Sequence, residues 1–373
     1  MSLAIAAMPI ASPAARAEDT AASPGQSLKT LQQACFPSSL TAIPGEEIPE
    51  KHDHRFDPPP SRGSALAPAA AVPAPLRGAI RRVELPAGQK LIALTFDLCE
   101  DRGEVAGYEG RIIDALRAEG VKATFFAGGK WMRSHVARTE QLMTDPLFEL
   151  GNHAEAHRNL RWLDGNNLTD EILGPQRTYE NIRKGLAETQ CAASAPQAMQ
   201  SVAPRLSLFR FPFGACNPQA MQAVNDAGLL AIQWDVSTGD PDPHVGPASI
   251  LHAIARQTSP GSIVISHANG RGWHTAEAIK DSIQALKKKG YTFVTVSELL
   301  AAGKPVIADT CYDNKPGDTD RYDYLRGLSG RPRTPVAQGT PEQPPAGKHV
   351  PTSALPWSAP DQSLGPWNVN PGR

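Results

Sequence analysis

Between residues 80 and 303, short apolar runs are followed again and again by segments whose apolar residues recur at helical spacing. This alternation constrains the fold more than any other feature. The first run, Leu91 to Leu98, is too uniformly apolar for a strand with one wet face and predicts a buried parallel strand. Tyr108, Ile112 and Leu116 then recur at helical spacing, with Gly120 as the stop. Further strands are expected at 121–127, 148–150, 209–211, 229–236, 262–266 and 291–296. Helices are expected between them at 134–144, 168–186, 218–227 and 248–257. Ala276, Ile279, Ile283 and Leu286 mark an amphipathic helix ended by Gly290, and Ser297 is placed to cap a last short helix through Ala301. About seven β/α units predict an α/β fold, a distorted or incomplete (β/α)7–8 barrel of parallel strands.

The chain has 373 residues, room for one domain of roughly 200–250 residues with extensions. Its 35 prolines gather at the two ends. Residues 18–79, with Pro58-Pro59-Pro60 and an Ala/Pro stretch at 65–75, read as a Pro-rich N-terminal extension. His52 and His54 within it are expected to be incidental. Residues 304–373 read as a Pro/Gly-rich C-terminal extension, disordered or wrapped irregularly, with Trp357 and Trp367 isolated in it. Residues 1–17 pair an apolar segment with Ala15-Arg16-Ala17, the pattern of a secretory signal peptide, so a periplasmic or secreted protein is expected. With Lys+Arg 37 against Asp+Glu 38 there is no nucleic-acid or membrane-surface footprint. No apolar run approaches the roughly 20 residues of a transmembrane helix. Five cysteines leave at least one unpaired in a monomer. Cys35 and Cys311 could staple the two extensions together, and Cys99 and Cys216 could meet near a site.

In parallel α/β folds chemistry gathers where strands end. The first run ends in Asp97-Leu98-Cys99-Glu100-Asp101. The third is followed by His153-Ala154-Glu155-Ala156-His157, two imidazoles that share one face if the segment is helical, as a divalent metal requires. Arg210, in the fourth, needs a carboxylate partner if buried, and Asp97 is the obvious one. Pro212-Phe213-Gly214 fixes a tight turn that can aim backbone N–H groups at a developing oxyanion. The segment from Trp234 to Asp240 places two carboxylates, Asp235 and Asp240, after the fifth strand. His267 ends the sixth, where a neighbouring carboxylate would raise its pKa and suit it to general-acid work.

The ordered set resembles the NodB-homology polysaccharide deacetylases, carbohydrate esterase family 4. Their Thr-Phe-Asp-Asp-Gly motif is similar to Thr95-Phe96-Asp97-Leu98-Cys99, and their His-x-x-x-His motif to His153 and His157. Their Arg-x-Pro-x-Gly motif is matched by Arg210, Pro212 and Gly214. Their Trp-x-Val-Asp-x-x-Asp motif is similar to Trp234 through Asp240, with Ser237 in place of its first Asp, and their Leu-x-His motif to Ile265-Ser266-His267. The resemblance spans residues 80–303 and neither extension. It implies a metal-dependent hydrolase that removes acetyl groups from an N- or O-acetylated polysaccharide or oligosaccharide. Asp97 would be the base, ionised and oriented by Arg210, and His267 the acid, tuned by Asp240 or Asp235. Pro212, Phe213, Gly214 and Trp234 would contact substrate or oxyanion. His153 and His157 would hold a divalent metal, zinc first, with cobalt, nickel or manganese as alternatives.

Where the family has a second Asp, a metal ligand, this chain has Leu98. Glu100 is the expected substitute; Asp101, Asp97 itself, water or loss of the metal are the others. Two rival readings follow: a catalytically silent carbohydrate-binding relative, and a barrel hydrolase of C–N bonds in small cyclic amides. The retained Asp97, Arg210 and His267 speak against the first, and the expected export against the second.

Overall fold

Eight short strands, all paired in parallel, form the central sheet of the structure, a computed structural model that describes residues 23–38, 40–51, 59–62, 66 and 68–329. They are β1 (Leu91–Leu98), β2 (Ala123–Ala127), β3 (Phe148–Asn152), β4 (Leu208–Phe209), β5 (Leu230–Ala231), β6 (Val236–Ser237), β7 (Ile263–His267) and β8 (Thr292–Phe293). Their order is β5-β4-β3-β2-β1-β7-β6, with β8 beside the start of β1. The expectations for residues 1–17, for His52, His54 and Pro58, and for Trp357 and Trp367 lie outside the described residues.

The run 229–236, expected as one strand, is two, and they stand at opposite edges of the sheet. Between them the Gln233 N–H donates to the Ile80 carbonyl at 2.7 Å and the Asp235 N–H to the Ile263 carbonyl at 3.2 Å, so one stretch serves two partners. That crossing brings the edges together and curls the sheet into an incomplete barrel. An added strand, Ala79–Glu84, bridges to Ile232 and takes Lys304–Ala308 on its other edge, antiparallel. The first residues of the expected C-terminal extension are therefore built into the fold.

Side-chain alternation sorts β1 into two layers. Ile92, Leu94, Phe96 and Leu98 enter the core beneath the helices, whereas Ala93 packs with Phe126, Ile232, Ile263 and Ile265 inside the barrel. Each buried large apolar side chain contributes roughly 1.5–3 kcal/mol, and the uniform character of the strand follows from its two dry faces.

The helices depart from expectation in detail. The segment expected at 134–144 is Gly129–Ser134 and Val136–Met143, broken at His135. The last helix, Val296–Ala302, is capped by Thr295 and not Ser297, because Thr295 and Glu298 form a reciprocal capping box. Among the described residues no helix is long and apolar enough to cross a membrane.

The disulfides are Cys35–Cys191 and Cys216–Cys311, which corrects both expected pairings. Cys35 ends the helix Pro24–Cys35, which packs against the helical turns Gln190–Ala193 and Pro196–Gln200 and so meets Cys191. Cys99 keeps its thiol, buried.

Candidate active site

Asp97 lies on β1 in register with His267 of β7 and with Phe126 of β2. Arg210 follows β4, and its guanidinium is fully buried. It donates to Asp97 Oδ1 at 2.9 Å and Thr95 Oγ1 at 2.8 Å, and to the carbonyls of Ile232 and Gln233 at 3.3 Å each. Burial alone would raise the Asp97 carboxyl, but the Arg210 charge, with His153 and His267 beside it, holds it below its ordinary value. The pairing expected from sequence is present.

The His153 to His157 segment is not helical. Ala154 and His157 sit at φ 64° and 49°. A left-handed non-glycine residue costs of order 1–3 kcal/mol and persists where neighbours over-determine it. Here Asn152 accepts the Ala154 N–H at 2.9 Å, and the buried Glu171 carboxylate accepts those of Glu155 and Ala156, at 3.0 Å each. The bend, not a helical face, brings the two rings to 5.1 Å between centroids. His153 Nδ1 donates to the Arg210 carbonyl at 2.9 Å. Its Nε2 is buried without a hydrogen-bond partner, with Asp97 Oδ2 3.5 Å away. Burial lowers the His153 pKa to about 4, so its ring is neutral, the form that ligates metals.

Cys99, His153 and His157 each offer a ligand atom within 4.8 Å of the others, all three buried. Glu100, the expected third ligand, is not among them. Its carboxylate is buried and engaged by Lys130 Nζ at 2.6 Å and the Ser134 hydroxyl at 2.6 Å, and it accepts the Ala106 N–H at 2.9 Å. An ammonium ion, a hydroxyl and an amide already satisfy it. Asp101 does reach the cluster, but from behind, at 3.2 Å from His157 Nδ1. A neutral imidazole with a free nitrogen, a second imidazole backed by a carboxylate, and a thiol form a donor set that fits a borderline-soft divalent cation such as zinc.

His267 Nδ1 is 2.9 Å from Asp240 Oδ1, while its N–H donates to Oδ2 at 2.7 Å. The Thr275 hydroxyl adds a bond to Oδ2 at 2.6 Å. Burial opposes the charged ring, but the Asp240 charge and hydrogen bond outweigh it and raise the pKa to about 9. Asp235 does not share this role. It accepts the Ser262 hydroxyl at 2.9 Å and the Ile263 N–H at 2.8 Å, bracing the start of β7 one strand length from His267.

Asp97, His157, Phe213, Gly214, Trp234 and His267 line one pocket. Phe213 at φ 61° and Gly214 at φ 60° make the expected tight turn, where the Gly214 Cα comes so close to Trp234 that a Cβ would lie 2.9 Å from the indole. Three further lining residues were missed: Asp313, Arg321 and Tyr322 from the C-terminal segment. The Trp234 indole N–H donates to Asp313 at 3.0 Å, and the Tyr322 ring lies 5.1 Å from that of Phe213. Cys216–Cys311 anchors this segment two residues beyond Gly214. Cys311 was the available signal, being followed closely by aromatic and acidic residues.

A sequence model described as polysaccharide deacetylase matches residues 84–232. A peptidoglycan-N-acetylglucosamine deacetylase of Bacillus cereus is 28% identical over 220 residues, covering 58% of this chain and 91% of that protein. The peptidoglycan-N-acetylmuramic acid deacetylase PdaA of Bacillus subtilis is 25% identical over 214 residues, covering 57% and 72%. Among solved structures, a CE4-family pseudoenzyme from Bacillus anthracis aligns with a TM-score of 0.49 at 24% identity, covering 63% of this chain and 72% of that one.

Proposed function

Because the chain belongs to the polysaccharide deacetylase family, we propose that it is a metal-dependent hydrolase of acetyl groups on a glycan, with Asp97 as base and His267 as acid. The observation that carries the residue roles is the pairing of Asp97 and His267 on adjacent strands, with Arg210 holding one ionised and Asp240 holding the other protonated. Two titratable groups pushed apart in this way divide into base and acid.

His153 and His157 would hold the metal, zinc first among cobalt, nickel and manganese. When bound, such a cation would polarise the acetyl carbonyl and lower the pKa of a water to about 7. The chain's own residues do the rest. Asp97 takes the proton of the attacking water, and Arg210 returns it to the ionised state and fixes its orientation. The turn at Pro212, Phe213 and Gly214 offers a backbone N–H to the oxyanion. Asp240 occupies Nδ1 of His267, leaving Nε2 to protonate the departing nitrogen or oxygen, which leaves poorly as an anion.

The relatives' names make N-acetylglucosamine residues of peptidoglycan the first substrate to try. Two disulfides among the described residues support a periplasmic or secreted site of action, where such bonds persist. A silent carbohydrate-binding relative would have no use for a paired acid and base. Acetate release from acetylated chito-oligosaccharides and from peptidoglycan, before and after chelation, tests the reading. Release that stops on chelation supports it; no acetate from either glycan by metal-loaded protein overturns it.

A further inference from the structure

We propose that the Cys99 thiolate is the third protein ligand of the metal centre, supplying the donor that Leu98 cannot. The inference rests on the metal-dependent reading above and concerns which atoms complete the centre.

Strand parity is the first argument. Asp97 and Cys99 are two residues apart and face the same way, whereas Leu98 points into the apolar core with Ile92, Leu94 and Phe96. A ligand at position 98 would have to leave that core, and Glu100 is held by Lys130, Ser134 and the Ala106 N–H. Cys99 is already at the cluster, its sulfur within 4.8 Å of the histidine ligand atoms.

One observation independent of the thiol points to a ligand here. His153 Nε2 is buried with no hydrogen-bond partner, although its ring is fixed by the Arg210 carbonyl on the other nitrogen. A buried polar atom left unmatched is costly unless something fills the place. The sulfur, too, is prepared. Asn269, itself buried, donates from Nδ2 to the Cys99 carbonyl at 2.8 Å and to Sγ at 3.0 Å. The Arg271 N–H on Asn269 Oδ1, at 3.3 Å, fixes which end of the amide faces the sulfur. That amide fixes where the sulfur points, and Asp101 behind His157 is the outer carboxylate usual for a ligating imidazole.

On binding, Sγ and both imidazoles bond the metal, and every proton those three donor atoms carried leaves to solvent. A thiolate and two neutral imidazoles keep the net charge that a carboxylate would give. The soft sulfur shifts preference toward zinc and cobalt and away from magnesium and manganese.

The test uses the full chain, stripped by chelation and reloaded with cobalt(II). The wild type should take up one equivalent and show a thiolate-to-cobalt charge-transfer absorption. In Cys99→Ser that absorption should vanish and cobalt affinity fall by on the order of 100-fold. In Cys99→Asp uptake should return without the charge-transfer band. Alkylation of the wild type needs no variant, because the other four cysteines are in disulfides. Zinc should block iodoacetamide labelling of Cys99, and magnesium should not. Cobalt bound without the band, or labelling indifferent to zinc, overturns the proposal; if acetate release persists, the hydrolase reading stands without it. Neither metal uptake nor acetate release would overturn both.

Discussion

Asp97 and His267 are register partners on adjacent parallel strands, so the two groups assigned to proton transfer stand one inter-strand spacing apart, about 4.8 Å of backbone. Each is braced by a different edge of the sheet. Arg210 comes from beyond β4, on one side, and Asp240 follows β6, on the other. Their opposite protonation at neutral pH is a property of the barrel's closure and not of local sequence.

Deacetylation should hold a plateau through neutrality and decline as the pH rises past about 9, where His267 loses its proton. Asp240→Asn should draw that decline down toward the ordinary histidine value of 6.5. Stability has the same sign. A folded-state pKa raised above the unfolded one contributes stability that is complete below about 6.5 and lost as the pH rises through about 9. Rate profiles and urea midpoints across that range check both, and an unmoved limb in Asp240→Asn would remove His267 from the acid role.

Asp97→Asn should lower the rate by about 10²–10⁴-fold with metal content unchanged, in a chain that still folds but is less stable because the buried Arg210 loses its charged partner. Metal analysis of the same sample separates the roles, because a fall in metal content would make Asp97 a ligand as well.

Arg210→Met should be costly in a different currency. It leaves the Asp97 carboxylate buried without its partner, a loss of about 3–5 kcal/mol, visible as a lowered urea midpoint. Arg210→Met combined with Asp97→Asn should recover much of that stability and none of the activity.

His157→Ala should abolish stoichiometric metal binding without unfolding the chain, read by metal analysis beside circular dichroism. Full metal content in this variant would move the centre elsewhere.

Tyr322→Ala should raise KM roughly fivefold with little change in kcat, since its ring meets Phe213 at the pocket wall and a ring contact contributes about 1 kcal/mol. Steady-state kinetics on an oligosaccharide substrate decide it; an equal loss in kcat and kcat/KM would instead place Tyr322 at the reacting atoms.

What the sequence made legible were strand ends. Asp97, His153, Arg210, Asp240 and His267 stand together because strand after strand stops at one rim, and short apolar runs show where they stop. Glu100 stands off the cluster by one residue of parity: counting alternate positions from Asp97 leads to Cys99, while the acid beyond it meets Lys130 on the helix after β2. Asp235 and Asp240 are indistinguishable by composition, and only the split of 229–236 into two edge strands assigns Asp240 to His267. The histidine bend depends on left-handed residues held by Glu171, from a helix later in the chain, which no local pattern announces. The segment bearing Asp313 and Tyr322 has no apolar periodicity, because a covalent bond and a few side-chain contacts place it.

That bond sets an order of events. Cys216 and Cys311 are separated by 95 positions, and the wall bearing Tyr322 lies beyond the second of them. During refolding from the reduced chain, the sheet can bring acid and base together before the wall is pinned. Substrate affinity should therefore be gained late, keeping pace with closure of Cys216–Cys311 rather than with the return of secondary structure. On that expectation, the last covalent step of refolding would fall at the candidate active site.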